Sequence, residues 1–355
     1  PAFSIGLVGV GRGSGYGRVF AHDPRCDIVA CCDARQESLA RFQEELQLPD
    51  EVCFTGYDEF IALDMDIVFL GTPIPLHADE AVAALETGKH VLSEVTAAST
   101  VDDCARIYDT VQRTGRRYML AENCCYWPFV TQWREWVQGG KIGEVFYGEC
   151  EYIHNIRQMV FDPETGTQRW RAKRAPLHYC SHSLGPILEI LDDRIIRASG
   201  AGNSRRILPE GDEGGIDIQV ALFETRKGAI IKLLRSSVAP RKPAIHYYTV
   251  QGTKGFVESN RRGIPGPGML YAEDEMDDVE EIEVSTVDTS LPEEARAGGH
   301  GTAEYALVQD FLAALEAGRK PPLDESRAMD LTVPGLIAHQ SAMSGGNWLD
   351  VPLFG

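Results

Sequence analysis

The stretch Ser4–Gly17, SIGLVGVGRGSGYG, constrains this chain more than any other. Ile5, Leu7 and Val8 form a short apolar run of the kind a buried parallel strand shows, and it breaks into glycines. Val19, Phe20 and Ala21 then resume an apolar pattern at helical spacing. Strand, glycine turn and helix in that order let backbone N–H groups and a helix N-terminus hold a pyrophosphate. Glycine is needed where phosphates approach the backbone and where the turn uses angles that other residues resist. Gly9 and Gly11 take the first two positions of this fingerprint. The third is Ser14, flanked by Gly13 and Gly15, so the turn, with Arg12 inside it, is expected to run one residue longer than usual. A second apolar run, Asp27–Cys32, ends at Asp33. An acid at that strand end accepts from a ribose 2′-hydroxyl and repels a 2′-phosphate, which favours NAD over NADP; Arg35 lies close enough to bear on the choice. The plainer reading is a glycine-rich turn with no ligand.

The same alternation continues downstream. Asp66–Gly71, Lys89–Glu94 and Tyr118–Ala121 read as buried strands, with a short apolar patch at Val52–Phe54. Helical stretches at Ser38–Leu46, Ala78–Thr87 and Asp102–Thr114 separate them. Strands and helices in alternation predict a parallel sheet covered on both faces, an α/β Rossmann domain. Thr72, Pro73, His77, Glu94, Glu122 and Asn123 follow strand C-termini and are expected to line the nicotinamide end of the crevice. At 355 residues two domains are expected, 1–125 for NAD and 126–355 for substrate, with C-terminal helices packing back on the first.

The second half changes period. Val145, Tyr147, Glu149, Glu151 and Ile153 alternate as a half-buried strand does, and Ile216–Phe223, Gly228–Leu234, His246–Gln251 and Gly255–Ser259 supply more strands. Thr253-Lys254-Gly255 reads as a hairpin turn. Trp127–Val137, Leu184–Leu191, Thr302–Ala317 and Glu325–Ser344 read as helices. This pattern predicts an α+β domain with an open, largely antiparallel sheet. An uncovered sheet face leads to the expectation of a homo-dimer or homo-tetramer. The acidic run Glu273–Glu283 reads as a solvated edge, since its spacing fits no familiar metal loop, and no metal is expected.

Composition excludes some classes of partner. A net charge of −19 argues against nucleic acid. No apolar run approaches a membrane span, and residues 1–10 lack the basic start of an export signal. Pro1 reads as following a removed methionine. Nine cysteines without zinc spacing read as reduced thiols, and a cytoplasmic location is expected.

Cations gather in Ile156–Ala175, with Arg157, Arg169, Trp170, Arg171, Lys173 and Arg174. They are either a clamp for an anionic substrate or a solvated loop. Tyr179 and His182, three apart before an apolar helix, could share one face and meet a ligand, or be hydrogen-bonded core residues. His300 stands among Gly298, Gly299 and Gly301, which allow a ligand close approach.

Together Gly9–Gly15, Asp33, Gly71-Thr72-Pro73 with His77, and Gly88-Lys89-His90-Val91 with Glu94 resemble the glucose–fructose oxidoreductase/inositol dehydrogenase/MocA family. Most members follow the glutamate with lysine and proline, and that lysine serves in sugar oxidation. Here the sequence reads Glu94-Val95-Thr96, and a valine can neither donate a proton nor hydrogen-bond a sugar.

Glu122-Asn123-Cys124-Cys125-Tyr126, Glu149 with Tyr152-Ile153-His154, Tyr179 with Ser181-His182-Ser183-Leu184-Gly185-Pro186, and Gly299-His300-Gly301 resemble one branch, the NAD-dependent glycosidases of glycoside hydrolase family 109. That resemblance implies a tightly held NAD that oxidises a sugar before elimination, water addition and re-reduction. It assigns Tyr179 and His182 to proton transfer, His300 as an alternative acid or base, and Glu149 and His154 to sugar hydroxyls. The branch usually carries tyrosine-proline-threonine-histidine where this chain has Tyr179-Cys180-Ser181-His182, and two glycines after the histidine where this chain has Gly301-Thr302. The expected partner is a small-molecule sugar, with an anionic one as the reading of Arg157, Arg169, Trp170 and Arg174 as a clamp. A sugar or polyol dehydrogenase releasing NADH and a non-catalytic NAD or sugar sensor are the competing readings.

Overall fold

The computed structural model describes residues 2–162, 164–203, 206–207 and 215–355, so Pro1 lies outside the described residues. The chain divides into two compact units. One comprises Pro1–Tyr126, Val287–Met329 and Phe354–Gly355, the other Trp127–Thr286 and Asp330–Leu353.

The nucleotide unit begins with β1 (Phe3–Val8), α1 (Val10–His22), β2 (Cys26–Cys32), α2 (Gln36–Leu46), β3 (Cys53–Phe54) and α3 (Tyr57–Ile61). It continues with β4 (Ile67–Leu70), α4 (Ile74–Glu86), β5 (His90–Ser93), α5 (Val101–Thr114) and β6 (Tyr118–Leu120). The six strands pair in parallel in the order β3-β2-β1-β4-β5-β6. That order reverses between β1 and β4, and a crevice opens there beyond the strand C-termini. All four residues of β4, Ile-Val-Phe-Leu, are buried, as a strand covered on both faces requires. α4 starts at Ile74, four residues before the sequence-based expectation, with Pro75 in its first turn where a missing N–H costs nothing. α5 is closed by Thr100, whose side chain accepts from the Asp103 N–H, and by Gly115 at φ 66°.

The substrate unit starts with α6 (Pro128–Gln138), β7 (Val145–Ile153), α7 (Arg157–Val160) and α8 (Ser181–Leu191). Then come β8 (Ile195–Gly202), β9 (Gln219–Thr225), β10 (Ile230–Ser236), β11 (Ile245–Gly252), β12 (Gly255–Glu258), β13 (Gly266–Ala272) and β14 (Glu280–Val284). The chain ends with α9 (Ala303–Glu316), which belongs to the nucleotide unit, α10 (Glu325–Met343), in which the division falls, and β15 (Leu349–Asp350). The nine strands run β14-β13-β12-β11-β7-β10-β9-β8-β15, antiparallel except where β10 meets β7.

One face of this sheet packs on helices. Gly148 of β7 lies against Ile187 of α8, and Cys150, Leu233 and Val250 on that face are fully buried. On the other face Val220, Leu222 and Met269 are exposed. The acidic run ends in β14, an edge strand with exposed glutamates. β8 escaped the sequence reading because its IIRASGAG run is poor in apolar bulk. Its small residues serve α10 instead: a Cβ on Gly200 would lie 2.1 Å from the Ala338 carbonyl oxygen.

The same helix fixes the turn that presents Tyr179. A Cβ on Gly335 of α10 would lie 2.3 Å from the Leu177 carbonyl oxygen and 3.0 Å from Cys180 Sγ. Backbone cannot retreat as a flexible side chain does, so overpacking here should cost about 1–3 kcal/mol. Gly335→Ala should therefore lower the thermal midpoint measurably. An unchanged melting curve would show that α10 does not brace this turn.

Candidate functional site

In the nucleotide unit the turn after β1 places Gly9 at φ 78°, a conformation in which glycine is at home, and it opens α1. No acidic residue of α1 itself stands in its first turn. Asp33 is buried at the C-terminal end of β2. Its Oδ2 accepts from the Gly11 N–H at 3.0 Å and its Oδ1 from the Arg35 N–H at 2.9 Å. The Arg35 guanidinium, mostly exposed, lies 3.6 Å from the same carboxylate. Val10, Gly11, Ser14, Arg18, Arg35 and Ser38 are among the residues lining a cleft of about 410 Å³ between α1 and α2. Glycine turn, helix start and buried aspartate together fit a dinucleotide.

The other predicted residues of this unit sort into contacts and supports. Arg12 Nε lies 3.3 Å from Glu94 Oε1 at the crevice. His77 is fully buried, with Nδ1 2.8 Å from the Thr96 carbonyl oxygen and Nε2 2.8 Å from that of Thr72. Burial lowers its pKa against two bonds that favour the charged ring. Both nitrogens being engaged, His77 ties the loops after β4 and β5 together instead of meeting a ligand, which corrects its expected place in the crevice. Thr72 Oγ1 donates to the Glu80 carboxylate, whose pKa burial pushes up to about 7. Pro73 caps α4. Asn123 likewise turns inward: its Nδ2 donates to Glu304 Oε1 at 3.0 Å. Glu304 also meets His300 Nδ1 at 2.5 Å. The sequence reading missed Glu304, although its spacing four residues after His300, at the start of a helix, is a usable signal.

In the substrate unit the sheet register builds the polar cluster. Tyr152 of β7 pairs with Arg235 of β10 on one side and His246 of β11 on the other, giving a row of three across adjacent strands. The Arg235 guanidinium lies 4.2 Å from the Tyr152 ring centre, and the His246 ring stacks on Tyr152 with centroids 4.0 Å apart. Tyr152 Oη lies 2.7 Å from His154 Nδ1. Tyr179 Oη lies 3.1 Å from His182 Nε2, and the His182 ring meets Tyr152 edge-on at 5.7 Å. Tyr248 Oη donates to the His182 carbonyl oxygen at 2.5 Å. Tyr179, His182 and His154 thus come together. Arg235 and His246 join them and were not foreseen, because only the strand register reveals neighbours so far apart in sequence.

Glu149 does not join them. Residues of opposite parity on β7 face opposite sides of the sheet, so Glu149 points away from Tyr152. Its carboxylate meets Lys232 Nζ at 2.7 Å, Arg261 Nη2 at 2.9 Å and Tyr147 Oη at 3.0 Å. Glu151 binds Arg261 at 2.6 Å on the same face. The expected contact of Glu149 with a sugar is corrected by this placement.

The cationic segment also divides. Arg169 pairs with Asp162 at 2.9 Å, and Arg157 Nε donates to the Val238 carbonyl oxygen at 2.9 Å. Arg174 behaves differently: its guanidinium lies 4.3 Å from the Tyr179 ring centre and 5.5 Å from that of Trp170. Arg235 Nε donates to the Tyr179 carbonyl oxygen at 3.2 Å and Nη1 to that of Tyr152 at 3.2 Å. Among the described residues neither Arg174 nor Arg235 pairs with a carboxylate. Burial pulls both guanidinium groups below their ordinary pKa, and the charges of Arg235 and Arg171 add to the effect on Arg174.

A Rossmann sheet with a dinucleotide turn, joined to a mixed sheet carrying tyrosine, histidine and arginine, defines an NAD-binding oxidoreductase architecture. Residues 3–122 match the family described as "Oxidoreductase family, NAD-binding Rossmann fold", and residues 134–351 match "Oxidoreductase family, C-terminal alpha/beta domain". The chain belongs to this Gfo/Idh/MocA family and is an NAD-dependent enzyme. A glycosyl hydrolase family 109 protein of Shewanella pealeana is 30% identical over 389 residues, covering 99% of this chain and 85% of its own. An oxidoreductase domain protein from Kribbella flavida superposes with a TM-score of 0.83 at 21% identity over 99% of each chain. Levoglucosan dehydrogenase, solved with NADH and levoglucosan, gives a TM-score of 0.82 at 18% identity over 99% of this chain and 100% of its own. No helix among the described residues is long and apolar enough to cross a membrane.

Asp33 carries the expected choice of nucleotide. A hydrogen bond to a charged group is worth about 1.5–3 kcal/mol, so Asp33→Ala should weaken NAD about ten- to a hundredfold. NADP should lose less, because the carboxylate that repels its phosphate is gone. Calorimetric titration of both nucleotides checks this; equal affinities in the native protein would remove Asp33 from the role.

Proposed function

We propose that the chain is an NAD-dependent glycoside hydrolase that works through transient oxidation of the sugar at C3. The observation that carries this reading is the Tyr179–His182 hydrogen bond of 3.1 Å, in a chain whose family lysine position is the buried Val95. The family 109 relatives support it. Bound NAD would supply a hydride acceptor for the C3–H and return that hydride at the end of the cycle.

The residues of the substrate unit do the rest. Tyr179 takes the proton of the C3 hydroxyl and His182 relays it; a group so placed contributes about 10²–10⁴ in rate. The guanidinium of Arg174, stacked on the phenol ring, favours the negative charge that develops on its oxygen. A ketone at C3 acidifies the C2–H, and loss of that proton expels the oxygen at C1. Water then adds at C1. His154, bonded to Tyr152, is placed to hold a sugar hydroxyl.

The balance of cofactor separates this reading from a dehydrogenase. Steady hydrolysis should proceed with no growth in NADH absorbance, and sugar released in D₂O should carry deuterium at C2. A 3-deoxy or 3-O-methyl glycoside should not be cleaved. Cleavage of such a substrate as fast as its parent would remove C3 oxidation from the path. NADH accumulating in proportion to substrate would establish the dehydrogenase instead.

We also propose that the sugar carries a carboxylate, sulfonate or phosphate. Two guanidinium groups flanking Tyr179, with no carboxylate paired to either among the described residues, support this, since an anion would compensate both. Arg174→Gln should raise KM for the anionic glycoside about ten- to a hundredfold, the loss of one charge-assisted hydrogen bond. An equal effect on the neutral analogue would overturn the assignment.

A further inference from the structure

His300 sits in a turn that the nucleotide unit builds over α1. Arg18 Nε of α1 donates to the Ala297 carbonyl oxygen at 2.9 Å. A Cβ on Gly15 would lie 2.4 Å from the Gly298 carbonyl oxygen, so the turn rests directly on the second turn of the helix that follows the glycine loop. From the other side Glu304 fills the space: a Cβ on Gly298 would lie 2.5 Å from Glu304 Cβ. Gly299 at φ 108° and Gly301 at φ 73° then hold His300 between two left-handed residues. Ala297–Gly301 is thus a strap clamped between α1 and α9.

The side chains at this strap form one set. Glu304, with 2% of its side chain exposed, takes His300 Nδ1 at 2.5 Å, the His300 N–H at 3.3 Å and Asn123 Nδ2 at 3.0 Å. The His300 ring is 41% exposed, and its Nε2 makes no hydrogen bond among the described residues. With Nδ1–H committed to a buried carboxylate, the neutral ring presents an Nε2 acceptor outward and the protonated ring an Nε2–H donor. Arg12 from α1 and Glu94 after β5 are the other charged groups acting on the ring, one opposing its protonation and one supporting it. The charges of Glu304, Glu122 and Glu94 all act on the buried Tyr16 phenol beside them.

We propose that His300, backed by Glu304, is a ligand of the diphosphate of the bound nucleotide, and that Ala297–Gly301 is the strap that retains it. The position argues for phosphate over sugar. The turn rests on the helix whose N-terminal end and glycines recognise the dinucleotide, and an imidazolium Nε2–H matches a phosphate oxygen with a charge-assisted bond. Glu304 acts through His300 and is a positioning residue. This inference rests on NAD binding alone and stands apart from the glycosidase reading.

The sign of the pH dependence follows. The Glu304 bond raises the pKa of His300, while burial and Arg12 oppose it. Diphosphate binding needs the charged ring, so affinity is full at acid pH and falls as pH rises through that raised value. The test uses the whole protein stripped of nucleotide, titrated calorimetrically with ADP-ribose and with adenosine from acid to alkaline pH. ADP-ribose affinity should fall about tenfold across the His300 titration, while adenosine affinity stays level. Glu304→Gln should move the fall to lower pH, and His300→Gln should abolish it. If Glu304→Gln fails to fold, His300→Gln together with ¹⁵N shifts of His300 in the native protein, with and without ADP-ribose, gives the same answer. ADP-ribose binding that ignores pH, or that changes equally in His300→Gln, would overturn the proposal.

Discussion

The substrate unit depends on a guanidinium buried where no carboxylate among the described residues meets it. Arg235 is 1% exposed on the helix-covered face of the sheet. Taking such a charge out of water costs several kcal/mol after relaxation. Three backbone carbonyls, from Tyr152, Tyr179 and Ser236, and the face of the Tyr152 ring offset that cost. These partners belong to β7, β10 and the turn before α8. Holding the charge and holding those three segments together are therefore one requirement. Tyr179 cannot drift without leaving a buried N–H of Arg235 unsatisfied.

The nucleotide unit answers a comparable problem with an acid. Glu304 is as deeply buried as Arg235, and its carboxylate is satisfied by Asn123 and by both the ring and the backbone of His300. Gly298 makes room for it, and the same glycine brings the strap down on α1. The two units differ in what they leave outward. One presents a carboxylate-backed imidazole at the nucleotide helix; the other presents a phenol with cations on its ring. Retention of an anion suits the first arrangement and transfer of a proton the second.

What the sequence discloses follows from how local each feature is. The glycine turn and Asp33 are legible because their geometry is written within a few residues, and β4 because an apolar run between turns has few alternatives. Tyr179 and His182 are legible because residues three apart at a helix start share a face. Arg235 and His246 are not, since their neighbour Tyr152 is reached only through strand register, and arginine at a core position of an alternating strand has no local explanation. Glu149 was misplaced for an avoidable reason. It shares a parity with Tyr147 and Glu151, opposite to Tyr152, so the alternation that reveals the strand also separates it from the cluster. His77 and Asn123 follow strand ends as ligand-binding residues do, yet close on their own unit's backbone and carboxylate.

The proton inventory carries the chemistry one step further. Val95 is buried and apolar, so the position that supplies a lysine in most of the family moves no proton here. Its neighbour Glu94 is engaged with Arg12. His77 is enclosed by two carbonyls, and burial favours its neutral ring. Glu80 is held by Thr72 behind the loop. With these set aside, His300 is an outward acid or base of the nucleotide unit, and its Nδ1 is committed to Glu304. The substrate unit, by contrast, joins a phenol directly to an imidazole at 3.1 Å. In the proposed cycle proton movement at the sugar falls to Tyr179 and His182, a fixed pair in place of a single mobile ammonium. A lysine can swing to one hydroxyl and return; a phenol and an imidazole in contact can accept a proton at one atom and release it from another. Elimination followed by addition needs protons moved at successive carbons of one sugar, and a relay of this kind meets that need better than a solitary base.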